Sequence, residues 1–185
     1  LGRGVVAFDL AGPERGWPAT RHAALLCRLR AAGLNLTLHA GEADDGERVL
    51  EAARLGAQRI GHGVHFVDLI GRPGGQAALD ELHARGTHFE VCPTSNVHTG
   101  AAGSVATHPI RALWRAGVSL SFHTDNRLMS RTAPSLEAAV LVDDLADVLE
   151  AHERHDFLRI GRLMTDRRTR MHRETCRRCG AAHCP

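Results

Sequence analysis

Five short apolar segments of this 185-residue chain each run into residues able to do acid–base or metal chemistry. Asp9 follows Val5-Val6-Ala7-Phe8, His39 and Glu42 follow the segment 34–38, and His62 follows Arg59-Ile60-Gly61. Cys92, Ser95 and Asn96 follow the segment 87–91, and Asp125 follows the segment 118–122. His39 and Asp125 are candidate metal ligands, because imidazole nitrogen and carboxylate oxygen both suit zinc. Glu42 is a candidate general acid, since a carboxyl group kept from bulk water can hold a proton near neutral pH. His62 lies between Gly61 and Gly63, which lets backbone and ligand come close, and is a candidate for orienting or deprotonating a bound water. Singly, each has a plain alternative: a strand-end residue facing water, or an acid in a first helical turn that complements the helix dipole. Recurrence at five equivalent strand ends favours chemistry.

The elements that must position these residues read as repeated β-α units. The pattern predicts helices on Leu25, Leu29 and Ala32, closed by Gly33, and on Val49, Leu50, Ala53 and Ala57. Further helices are expected on Ala78, Leu79 and Leu82, stopping at Gly86, and on Ile110, Leu113 and Trp114, stopping at Gly117. A last helix, capped by Ser135, carries Leu141, Leu145, Val148 and Leu149. Short apolar strands alternating with helices imply an α/β fold with a parallel sheet buried on both faces. No Gly-rich phosphate loop follows any strand, as an open doubly wound sheet would commonly show. A β/α barrel, which gathers every strand C-terminus at one mouth, accounts better for the placement of the polar residues.

Composition sets the outer limits. Hydrophobic residues make up 43% and charged residues 24% of the chain, which is normal for a folded globular protein. No apolar run reaches the roughly 18–20 residues that span a bilayer, so no membrane association is expected. Residues 1–151 hold 14 Arg against 17 acids and residues 152–185 hold 9 Arg against 4, so the net +2 describes a near-neutral body with a basic tail. That is no footprint of a nucleic-acid binder. The five cysteines are odd in number and form no regular framework, which favours a reducing, cytoplasmic compartment.

Two other patterns lead nowhere. Cys92 has no partner that would mark it as a nucleophile and reads as a small buried residue before a Pro turn. Cys176-Arg177-Arg178-Cys179 with His183-Cys184 lacks apolar residues to pack a metal site, so residues 152–185 read as a basic, poorly ordered tail. His88-Phe89-Glu90 with that cysteine pair superficially suggests the zinc signature of cytidine-type deaminases, but Thr175 stands where Pro is needed and the triplet lies in a strand.

In order along the chain, Val6-Ala7-Phe8-Asp9-Leu10-Ala11-Gly12, His39-Ala40-Gly41-Glu42, Arg59-Ile60-Gly61-His62-Gly63, Cys92-Pro93-Thr94-Ser95-Asn96 and Thr124-Asp125-Asn126 closely resemble the adenosine deaminase family of metal-dependent hydrolases. The resemblance covers about residues 3–150, and Asn126-Arg127-Leu128-Met129-Ser130 is similar to a bacterial, actinobacterial branch. It implies a (β/α)8 TIM-type barrel holding one Zn2+ ion and hydrolysing adenosine, and deoxyadenosine, to inosine and ammonia in purine salvage. By motif position His39 and Asp125 resemble zinc ligands and Glu42 the proton donor to the purine ring. His62 is similar to the histidine that positions the zinc-bound hydroxide, and Gly12 resembles the residue whose backbone meets the purine. Asn126 stands where the family often has Asp for a ring-nitrogen contact, and an amide can still donate there.

The chain also departs from that pattern. The family's first strand carries a His-x-His pair of zinc ligands, whereas here no His precedes His22. Five strands cannot close an eight-strand barrel. The expectation is therefore residues 1–151 as the C-terminal portion of such a barrel, short by about three β-α units. Its partner is a small purine nucleoside, with no nucleic acid and no membrane. An adenine deaminase and a catalytically inactive form without the upstream ligands remain the rival readings, and oligomeric state is left open.

Overall fold

The computed structural model describes residues 4–144. The expected tail, residues 152–185, and Leu145, Val148 and Leu149 of the last expected helix lie outside the described residues. Five strands, β1 (Ala7–Leu10), β2 (Asn35–Ala40), β3 (Arg59–His62), β4 (His88–Val91) and β5 (Leu120–Phe122), form one sheet in the order β1-β2-β3-β4-β5. Every neighbouring pair is parallel. A strand order that follows the sequence without reversal is the winding of a β/α barrel; a doubly wound sheet reverses at a switch point. The chain is thus a sector of a (β/α)8 barrel.

Between the strands run α1 (Ala23–Ala31), α2 (Glu47–Arg54), α3 (Phe66–Ile70), α4 (Gly75–Arg85), α5 (Pro93–His98), α6 (Ile110–Arg115), α7 (Arg127–Ser130) and α8 (Pro134–Asp144). The glycines read as helix stops, Gly33, Gly86 and Gly117, all take left-handed φ of 84°, 65° and 83°. A side chain at such a φ costs about 1–2 kcal/mol, which is why the helices end there.

Pairing register separates two faces. Leu10, Leu38, Ile60, Phe89 and Leu120 line up across the five strands, and the last four are buried. They meet Val49 and Ala53 of α2, Phe66 of α3, Leu79 and Leu82 of α4, Ile110 and Leu113 of α6 and Leu141 of α8 in one core. The alternate rows are polar: Asp9, Thr37, Arg59 and His88 in one, His39, Gly61, Glu90 and Ser121 in the next. The expectation of a parallel sheet buried on both faces holds at Thr37, His88 and Ser121, which are buried on the second face, but that face is polar. Only the helix-covered face is apolar, and the other carries ionic and hydroxyl groups that satisfy one another. His88 contacts Ser119 Oγ (2.9 Å) through Nδ1 and Ser121 Oγ (2.8 Å) through Nε2, and Arg59 donates to Glu90 at 2.8 Å.

Two local expectations are also revised. Leu26 is fully buried, whereas Leu25 is 46% exposed, so the inner stripe of α1 is Leu26 with Leu29. Helix α8 starts at Pro134, which places Ser135 inside the first turn and not at the cap. Proline suits that start because its missing N–H would find no partner there.

Candidate active site at the strand C-termini

His39 is the fifth residue of β2, and Glu42 follows in the loop to α2. That loop is held from across the sheet edge. Glu14, 8% exposed, turns its carboxylate onto four successive backbone amides: Oε1 accepts from Gly41, and Oε2 from Glu42 (2.9 Å), Ala43 (2.7 Å) and Asp44 (3.2 Å). A ring of amides closing on an anion is a backbone nest filled from within the chain.

His62 ends β3 with φ 69° and Asp125 follows β5 with φ 52°. Left-handed backbone at a non-glycine residue costs on the order of 1–3 kcal/mol and gathers at functional sites. At His62 it breaks the strand alternation that would send the side chain toward the helices. The imidazole instead meets Glu42, with Nε2 3.3 Å from Oε2, and stacks edge-on against His39, ring centroids 4.9 Å apart at 76°. Gly61 leaves room for this pair, because a Cβ there would lie 2.6 Å from the His39 ring.

Helix α5 supplies a second wall. Asn96, fully buried, donates from Nδ2 to Glu42 Oε1 (3.1 Å) and meets His62 Nδ1 at 3.0 Å, while Thr99 Oγ1 donates to the same Oε1 at 3.0 Å. Asn96 Oδ1 accepts from the Cys92 amide (3.3 Å) and meets His108 Nε2 (3.2 Å). Ser95 Oγ donates to Asp125 Oδ2 at 2.7 Å.

Burial pushes His62 below its ordinary range. Glu42, Asp125 and Glu14 oppose that shift, and His39 adds to it. Burial alone holds His108 down at about 4, so its ring is neutral at pH 7. The Cys92 thiol is pushed up by burial and by the nearby Asp125, Glu90 and Glu42, which suits the structural part read for it and not a nucleophile.

The fold thus sets His62 against both His39 and Glu42 and ties Asp125 to the same wall through Ser95. Gly12 shares a cavity of about 250 Å³ with Leu10, Glu14, Trp17, His22 and His39. A Cβ on Gly12 would meet nothing within 4 Å; its φ of 149° and the open space beside it are its structural marks. Asn126 is exposed, and its Oδ1 caps α7 by accepting from Leu128 (3.2 Å) and Met129 (3.1 Å), so its Nδ2 is the end available to a ligand. Asn96 stood out in the sequence only as a strand-end polar residue and part of the Cys-Pro motif, with no role assigned, and Glu14, Thr99 and His108 were not singled out at all. The i, i+3 spacing of Asn96 and Thr99 after the Cys-Pro turn was the signal that could have joined those two.

For a metal, the donor types fit and their number does not. Among the described residues no group of three or more His, Cys, Asp or Glu side chains is placed to hold an ion. His39 Nε2 lies 3.5 Å from Asp9 Oδ1 and Asp125 is bonded to Ser95, whereas a catalytic zinc takes three protein ligands.

The profile of the adenosine deaminase family matches residues 2–153. An adenosine deaminase of Mycobacterium sp. (strain KMS) is 46% identical over 147 residues, covering 76% of this chain and 41% of that protein. One of Mycolicibacterium gilvum is 46% identical over 149 residues, with the same shares. The chain therefore spans about two fifths of the curated relatives it matches. An amidohydrolase of Burkholderia ambifaria with bound Zn superposes with a TM-score of 0.74 at 20% identity, over 95% of this chain and 47% of that one. The N6-methyl-AMP deaminase of Arabidopsis thaliana superposes at 0.70 and 24% identity, over 97% and 50%. These two likenesses concern the fold.

Proposed function

Since the chain belongs to the adenosine deaminase family, we propose that it forms the catalytic wall of a barrel that hydrolyses adenosine and deoxyadenosine to the inosine counterpart and ammonia. The observation that carries this reading is the Glu42–His62 contact, buttressed from behind by Asn96 and Thr99 at the mouth formed by strand C-termini. The substrate is a small purine nucleoside; among the described residues no helix is long and apolar enough to cross a membrane.

Hydrolytic deamination adds water to the amine-bearing ring carbon, moves a proton to the adjacent ring nitrogen, and expels the amine as ammonia. Glu42 delivers that proton, absorbing the electron density that attack pushes onto the ring. His62 aims the attacking oxygen. Gly12 lets the purine lie close to the backbone at the edge of the cavity, and Asn126 Nδ2 donates to a ring nitrogen. The family and the zinc-bound relative point to a metal cofactor. His39 and Asp125 would contribute two ligands of a single zinc site, and zinc when bound supplies hydroxide at neutral pH.

The test is loss of the adenosine absorbance band, measured on the 185-residue chain and on an extended chain in which it is joined behind the N-terminal segment of the 46% identical Mycobacterium adenosine deaminase, each with added zinc. Deamination by the extended chain that Glu42→Gln abolishes supports the reading. Adenosine left untouched by both, or turnover indifferent to Glu42→Gln, defeats it. Adenine consumed in preference to adenosine would assign the site to the base instead.

A further inference from the structure

Four side chains at the site form a hydrogen-bonded chain whose polarity is set at one end by the backbone. The Ile110 amide donates to His108 Nδ1 at 3.0 Å. A ring nitrogen that accepts carries no hydrogen, and His108 is neutral, so its proton resides on Nε2 and is donated to Asn96 Oδ1 at 3.2 Å. The Cys92 amide donates to the same Oδ1, so two independent donors fix which end of the Asn96 amide faces which way. The two hydrogens of Nδ2 are thereby committed, one to Glu42 Oε1 and the other to His62 Nδ1.

Two proton positions follow at the far end. His62 Nδ1 accepts from Asn96 Nδ2, which leaves Nε2, the atom 3.3 Å from Glu42 Oε2, as the ring nitrogen that carries a hydrogen. Glu42 Oε1 already accepts from Asn96 and from Thr99 Oγ1, which occupies both lone pairs of a carboxyl oxygen. A transferable proton on Glu42 therefore sits on Oε2. Two hydrogens do not fit on one 3.3 Å line, so that proton points away from the His62 ring.

We propose that Asn96, polarised by His108 and the Cys92 amide, is a positioning residue that assigns the proton of His62 to Nε2 and the transferable proton of Glu42 to Oε2. This rests on the deaminase reading for its functional meaning, while the proton positions rest on hydrogen-bond geometry alone. Asn96 is fully buried behind Glu42 and His62 and acts through them. The contacts span 54 residues between Asn96 and Glu42 and 34 between Asn96 and His62.

Nitrogen-15 NMR of the histidine-labelled 185-residue chain reads the assignment directly, since protonated and bare ring nitrogens resonate far apart. The expected result is Nε2–H with bare Nδ1 for both His62 and His108. Asn96→Asp replaces the donor facing His62 by an acceptor, and the His62 hydrogen is expected to move to Nδ1. In the extended chain, Asn96→Asp should lower kcat by about 100-fold, the low end of what a positioned acid–base group contributes, with KM changed less than about threefold. A wild-type His62 protonated at Nδ1 overturns the assignment even where the variant does not fold. So does a folded Asn96→Asp variant that keeps Nε2–H, or one whose tautomer switches with kcat intact. A wild type that shows the expected tautomers yet leaves adenosine untouched defeats the deaminase reading and leaves the proton assignment standing.

Discussion

Replacing Glu14 by Gln should destabilise the protein by about 3 kcal/mol and displace Glu42 as well. The carboxylate of Glu14 is the shared acceptor for the amides of Gly41, Glu42, Ala43 and Asp44, and its side chain is almost fully buried. A Gln side chain has one acceptor oxygen. Turned toward Glu42, Ala43 and Asp44 it keeps three contacts but loses their charge assistance, which roughly halves such bonds. Its NH2 group then faces the buried Gly41 amide, leaving donor against donor at a cost of about 1–3 kcal/mol. Together these give roughly 3 kcal/mol, a large share of the 5–15 kcal/mol by which domains are stable. With a urea slope of about 1.5 kcal/mol/M, the unfolding midpoint should fall by about 2 M. Glu14→Asp should recover little, because the shortened chain withdraws the carboxylate from the nest. A midpoint shift below about 0.3 M for Glu14→Gln would refute the view that this carboxylate holds the loop; so would the expected shift of about 2 M accompanied by an unaltered kcat in the extended chain proposed to deaminate adenosine.

Three further outcomes are expected. His88 and His108 are both held at about 4 by burial, and His88 also by the nearby His123 and Arg59, against 6.5 when unfolded. The unfolded chain therefore binds the extra protons, and stability that is whole above about pH 6.5 should fall through that window and level off below about 4. The loss is about 3 kcal/mol per histidine, checked by urea titrations at successive pH values. Gly61→Ala should drive the His39 ring off its contact with His62 and cost about 1–3 kcal/mol by overpacking, seen as a lowered Tm together with a changed His39 imidazole resonance. An aromatic disulfide reagent should modify the exposed Cys27 rapidly and leave Cys92 intact until the chain unfolds, as peptide mapping would show.

Much of this architecture could be read from local pattern. Strand-helix alternation shows in the apolar spacing of Leu36 and Leu38, of Val49 and Ala53, and of Leu79 and Leu82, and helix ends show in Gly33, Gly86 and Gly117. These features depend on residues a few positions apart, within reach of a periodicity argument. Helix α5 was missed because Pro-Thr-Ser-Asn-Val-His has no apolar stripe; its buried residues, Pro93, Ser95 and Asn96, serve the site and not the core. Leu25 and Leu26 could not be ranked, since adjacent leucines differ only in which faces the sheet.

The candidate residues were likewise visible as types at strand ends, and parallel winding makes such ends converge whatever the side chains are. Which of them touch was not visible. The His39–His62 stack needs a left-handed turn at His62 and an empty Cβ position at Gly61, and neither conformation nor clearance is written in one residue type. The supports of Glu42 come from Glu14, Asn96 and Thr99, at separations of 28, 54 and 57 residues. Sequence by itself determined the alternation of elements and the chemistry offered at each strand end, because both follow from backbone periodicity and side-chain type. Only tertiary structure decided which donor meets which acceptor, because a hydrogen bond depends on distances of a few tenths of an ångström between segments that chain order does not relate.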